Sequence, residues 1–149
     1  MRPTERLLDQ LNRAFGGEAW HGPALRNLLD AVTERQAEAH PIAGAHSILE
    51  LVLHIATWND VVAKRVGGTV IESSSVDDWT DVSKFTWKSA IEELERAQSR
   101  LCDAVARLGS ADLEQPAAGS KSSKFTQIAG ALQHMAYHAG QIAILKKVA

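Results

Sequence analysis

Apolar residues recur along this chain at helical spacing, and no stretch keeps the two-residue alternation of a half-buried strand. A first helix is predicted from a Thr4 cap to about Phe15, with Leu7, Leu8 and Leu11 as its apolar stripe and Gly16 and Gly17 as its breaker. In EAWHGPALRNLLDAV, Pro23 suits a first helical position, and Leu25, Leu28, Leu29 and Val32 follow at helical spacing. Thr33 and Gln36 have capping-box spacing at the head of a short connective segment that closes at His40 and Pro41. Ser47 and Glu50 repeat that spacing before a long helix from Ile48 to about Val66, whose broad face carries Ile48, Leu51, Val52, Ile55 and Val62. Gly67 and Gly68 end it. From there to about Ser83 no periodicity is visible, and a loop of this length in a compact domain is either functional or packed by its own aromatics, here with Trp79 as the anchor.

A third long helix is predicted from about Lys84 to Leu108, where Ile91, Leu94, Leu101, Val105 and Leu108 make a bundle seam. Ser110 caps a single turn that Pro116 stops, and AAGSKSS is a polar connection. Ser123 caps the last helix, which runs nearly to the C-terminus with Ile128, Leu132, Met135, Ala139 and Ile142 along one side. The expected architecture is an all-α four-helix bundle with short accessory helices, a single domain over residues 1–149.

Composition narrows the partners. With 45% hydrophobic residues the chain can bury one sizeable core, and 16 basic against 18 acidic residues leave none of the positive excess that a phosphate backbone demands. Nucleic acid is not an expected partner. Cys102 is the single cysteine and reads as a small buried hydrophobe. No apolar run approaches the roughly 18 residues that span a bilayer, and the N-terminus lacks the pattern of a leader, so a cytoplasmic protein with no membrane partner is expected. Closed two-fold symmetry is the commonest assembly, which makes a homodimer the starting expectation.

The chemistry gathers in HMAYHAGQI. His134 and His138 stand four residues apart in a predicted helix, so one turn stacks both imidazoles on one face. Imidazoles suit zinc and its neighbours, and catalytic sites commonly take three protein ligands and keep a position open. A facing helix can supply the third, and His54 alone among the other four histidines lies mid-helix among core residues; His21 and His46 adjoin helix starts and His40 sits in a turn. The competing reading is a histidine pair kept for packing alone. Gly130 and Gly140, each costing about 1 kcal/mol relative to alanine within a helix, suggest close approach or room for a ligand. Gln141 is placed either to contact a substrate or to face solvent, and Glu50 either to accept an imidazole proton from His54 or to serve its own helix cap. His21 and His46 are candidates for the mouth of a cavity; Trp20, Trp58 and Trp79 are candidates for its walls, with core packing the alternative. Tyr137 is expected at solvent or at a partner subunit.

Taken in order, HSILELVLHIATW, a DW loop, a third helix led by Trp87, and the closing LQHMAYHAGQIAILKK resemble the DinB-like superfamily, most closely a branch carrying AWHGP, here Trp20 to Pro23. The resemblance covers nearly the whole chain. It implies a four-helix bundle of unusual connectivity with one divalent metal, zinc or nickel, held by His54, His134 and His138 at one end. Among proteins of this kind are metal-dependent thiol S-transferases, an isomerase that uses a thiol cofactor, and proteins described as metal-dependent hydrolases. The resemblance therefore implies a small-molecule substrate and a low-molecular-weight thiol as a possible cofactor, with a non-catalytic metal- or ligand-binding stress-response protein as the alternative. Relatives often carry an acid directly after the tryptophan that follows the second-helix histidine; this chain has Asn59 there, which weakens a carboxylate base at that position.

Overall fold

The computed structural model describes residues 1–149 and is all-helical. Helix α1 spans Pro3–Gly16, α2 Leu25–Leu29, α3 Glu34–Glu38, α4 Ile48–Val66, α5 Trp87–Ala106 and α6 Lys124–Val148. Short 3-10 turns at Ser73–Ser75, Val82–Lys84 and Ser110–Glu114 punctuate the connections. The four long helices form a bundle in which α4 packs against both α5 and α6, and α1 closes the opposite side against the same two. No helix is long and apolar enough to cross a membrane.

Three boundaries differ from the sequence expectation. Thr4 is not the first cap: Pro3 takes the opening helical position, where its fixed φ and missing N–H cost nothing, and Thr4 is buried one residue inside. Pro23 stands outside α2, which is capped at Ala24 and lasts five residues. The third long helix starts at Trp87 rather than Lys84, because the Thr86 hydroxyl accepts the Ser89 amide and the preceding residues close a separate 3-10 turn. The two capping boxes form as their spacing dictates. The Thr33 hydroxyl and Gln36 carbonyl each accept the other residue's amide at 3.2 and 3.0 Å, and Ser47 and Glu50 do the same at 3.1 and 2.7 Å.

Fourteen of the nineteen residues of α4 are buried, so this helix is the axis of the core. The core divides into two apolar groups along it. One gathers around Val52, Ile55, Leu94, Met135 and Ile142, the other around Leu11, Val66, Leu101, Val105 and Ile128. Between them lies a buried polar pair: Asn59, fully buried, donates to the Gln98 side-chain oxygen at 3.1 Å, and Gln98 reaches the Leu11 carbonyl at 3.4 Å. Asn59 therefore faces α5, in the core.

The glycines within α6 do not serve close approach between helices. A Cβ added at Gly130 or Gly140 would meet no atom within 4 Å. Close approach occurs instead at Gly119, whose φ of +76° is left-handed and whose added Cβ would stand 2.5 Å from the Ile71 carbonyl oxygen. Gly140→Ala is expected to stabilise the protein by about 0.5–1 kcal/mol, since it removes helix-interior backbone entropy without a clash. Gly119→Ala is expected to cost more than about 1 kcal/mol, through both φ and the backbone contact. Urea denaturation of the two variants beside the parent checks both signs.

Candidate metal centre

His54 lies on α4 and His134 and His138 on α6, and the antiparallel packing of the two helices brings the three rings to one point. The Nε2 atoms of His54 and His134 are 2.9 Å apart, and those of His134 and His138 are 3.0 Å apart. One ligand atom from each residue lies within 4.8 Å of the others. His54 and His138 are buried and His134 is half-buried.

Their outer nitrogens fix two of the tautomers. His54 Nδ1 lies 2.7 Å from the Asp78 carbonyl oxygen, which can only accept, so Nδ1 carries the proton and Nε2 presents a lone pair inward. His138 Nδ1 donates in the same way to Gln141 Oε1 across one turn of α6. Two inward lone pairs thus face His134 Nε2, whose single proton can satisfy one of them at most. His134 Nδ1 is itself buried with no partner. Protein groups alone leave the inward nitrogens unsatisfied, whereas a cation among the three Nε2 atoms would take up all three lone pairs. Nitrogens bound tetrahedrally to an ion such as zinc at about 2.0–2.1 Å stand about 3.3–3.4 Å apart, a few tenths of an ångström beyond the two separations that involve His134. The donor set fits a divalent metal ion.

Burial, followed by the neighbouring His138 and His54, pushes His134 down to about 4. Burial likewise lowers His138, against an opposing contribution from the Gln141 hydrogen bond. Both rings are therefore in the neutral form, the one that ligates metal, at neutral pH.

The surroundings answer the other candidates one by one. Trp79 anchors the loop between α4 and α5 over the histidines: its ring stacks on His54 at 4.1 Å and on His46 at 3.4 Å between centroids, nearly parallel to both. Trp58 donates its indole N–H to Asp78 Oδ1 at 2.7 Å and sets its ring edge-on to His134. Glu50 does not reach His54. Burial pulls its carboxyl up, but the Ser47 amide, His40 and His46 outweigh that and hold it below its ordinary value. The carboxylate is committed to the helix cap and to His40 and His46, each at 3.2 Å. His21 is exposed in the turn before α2 and lines neither opening beside the histidines, and Trp20, 99% exposed, is a wall to nothing. Cys102 contacts Asn12 and Gln98 in the other half of the bundle, where burial raises its thiol. Asp78 was not among the residues singled out from the sequence; its only signal there is the DW pair of the loop.

A cleft of about 490 Å³ opens beside His138, walled by Ile42, Trp79, Tyr137 and Ile144 with His46 and Gln141 at its polar side. A narrower groove of about 220 Å³ runs along the other side of the cluster, beside His134. A third depression, about 370 Å³ under the loop, contains no histidine.

A family model described as the DinB superfamily matches residues 19–142, a span that contains all three histidines. No curated protein and no solved structure matches the chain.

A group whose folded pKa lies below its ordinary value takes up its proton more readily in the unfolded chain. The metal-free protein is therefore expected to hold its stability above about pH 6.5 and to lose part of it as pH falls toward about 4, in step with His134. His134→Gln should flatten that segment of the curve. Denaturation midpoints of chelator-treated protein across this range check it, and an equally steep fall in the variant would count against the assignment.

Proposed function

Because the chain belongs to the DinB superfamily, we propose that it binds one divalent metal ion, zinc or nickel, on His54, His134 and His138 and uses it in thiol transfer to, or hydrolysis of, a small molecule. The observation that carries this reading is the convergence of three imidazole nitrogens, two of them with their protons fixed on the far side by Asp78 and Gln141. A divalent ion on three imidazoles supplies Lewis acidity that lowers the pKa of a thiol or a water at its open position.

The protein's own groups define what surrounds that position. Trp79 covers His54 and, with Ile42 and Ile144, makes the cleft beside His138 largely apolar, which suits the hydrocarbon part of a substrate. His46 and Gln141 offer hydrogen bonds on its polar side. Asn59 faces Gln98 in the core and Glu50 is held by its cap, so the carboxylate nearest the histidines is that of Asp78, which accepts from the Trp58 indole through one oxygen. That Asn59 and Glu50 both turn away from the histidines supports a second reading, a metal- or ligand-binding protein without turnover.

Elemental analysis of untagged protein is expected to give one zinc or nickel per chain, and His54→Ala, His134→Ala and His138→Ala should each abolish stoichiometric binding. Gln141→Leu should retain the metal but weaken its affinity roughly 10- to 100-fold, measured by competition with a chelating dye. Undiminished binding in the histidine variants, or none in the parent after reconstitution, refutes the site. A cobalt-substituted protein whose spectrum shifts on adding a simple thiol supports the catalytic reading; an unchanged spectrum favours the second.

A further inference from the structure

Arg65 sits in the last turn of α4 and is only 4% exposed. Its guanidinium donates to the Ile71 carbonyl at 2.9 Å, the Ser73 hydroxyl at 2.9 Å and Gln127 Oε1 at 3.1 Å. All three partners are neutral. The arginines that form ion pairs here do so outside the core, whereas Arg65, the buried one, pairs with no carboxylate. A guanidinium stays charged at any ordinary pH, and a buried charge is normally matched by an opposite one. The negative end of α4 offsets part of this charge, as a helix C-terminus does, but supplies no counter-ion.

Arg65 also lines the narrow groove beside His134. On α4 the groove follows Trp58, Val62 and Arg65, and on α6 it follows Gln127, Gly130 and His134, so Arg65 and Gln127 stand at one end and Trp58 and His134 at the other. Seven residues of helix separate the ends on each side, about 10 Å at 1.5 Å per residue. Gly130 lies between them with open space where a side chain would project. A volume of about 220 Å³ over that length gives the cross-section of a single extended chain.

We infer that this groove binds an elongated small molecule by an oxyanion, carboxylate or phosphate, at Arg65, with its other end beside His134. The oxyanion is the missing counter-charge and accepts from the guanidinium fork; the chain lies along Val62 and past Gly130. The subsite depends on the proposed metal centre only for what happens at the far end, since the anion end is built without it. With a separate apolar cleft on the His138 side, the cluster then has two approaches, as a reaction joining two molecules needs.

The test follows the Arg65 Nε–Hε resonance of isotopically labelled full-length protein, with and without zinc, during titration with acetate, octanoate and inorganic phosphate. A saturable shift is expected in both metal states, with octanoate roughly tenfold or more tighter than acetate because its chain fills the groove. Gly130→Leu, which leaves every Arg65 hydrogen bond intact, should remove the octanoate advantage. A shift with phosphate alone assigns the oxyanion as phosphoryl. A shift without any retained zinc upholds the subsite while refuting the metal proposal. An Arg65 resonance that none of the three moves, in protein that remains folded, overturns the inference and leaves Arg65 as a clasp between the loop and α6. Arg65→Gln should lose binding too, but it also cuts the ties to Ile71 and Gln127, so Gly130→Leu is the variant that decides.

Discussion

Three imidazole lone pairs cannot occupy one small volume without a proton or a cation between them, and the bundle is built so that they must try. His54 cannot turn its ring away, because its Nδ1 proton is held by the Asp78 carbonyl and its face is covered by Trp79. His138 is held through Gln141. His134 meets both on a helix whose neighbours Met135 and Ala131 are locked into the core. Burial then depresses the basicity of His134 and His138, which removes the cheap solution of simply protonating them. What is left is a site whose three nitrogens could hold a metal ion at neutral pH.

The same constraint explains why the long loop exists. A chain that had only to connect α4 to α5 could do so in a few residues, yet this one wraps back so that Asp78 and Trp79 reach the middle of α4. One carbonyl, one carboxylate and one indole from this loop organise His54, Trp58 and His46 together. Farther along the chain, Arg65 and the left-handed Gly119 pin the beginning of the loop to the connection before α6. The irregular segments are as much a part of the centre as the helices that carry the ligands.

Periodicity and caps make the helices readable in the sequence, and the i, i+4 pair His134 and His138 with the mid-helix His54 makes the cluster readable there too. Helix starts were off where a residue has two possible jobs: Thr4 and Pro23 both fit a cap or first-turn pattern, and tertiary packing chose otherwise. The roles that stayed hidden belong to groups with no sequence signature. A backbone carbonyl such as that of Asp78 is contributed by every residue, and only the fold of the loop aims this one at an imidazole. Glu50 was ambiguous for the opposite reason, since its spacing suited both its cap and His54, and the cap claimed the carboxylate. Gly130 and Gly140 signalled open space rather than contact, two meanings that one letter cannot separate.

The amide pair of Asn59 and Gln98 bears on all of this from the far side of α4. Two buried amides joined by one hydrogen bond at a single height act as an index mark between α4 and α5: a slip of one helical turn would break that bond and strand both groups in apolar surroundings at a cost of about 1–3 kcal/mol each. Because Asn59 is only five residues from His54 on the same rigid rod, fixing that height also fixes the depth at which the imidazole is presented. A polar contact that never touches the histidines thereby calibrates them, and the position that looked like a lost acid serves as the gauge against which the centre is set.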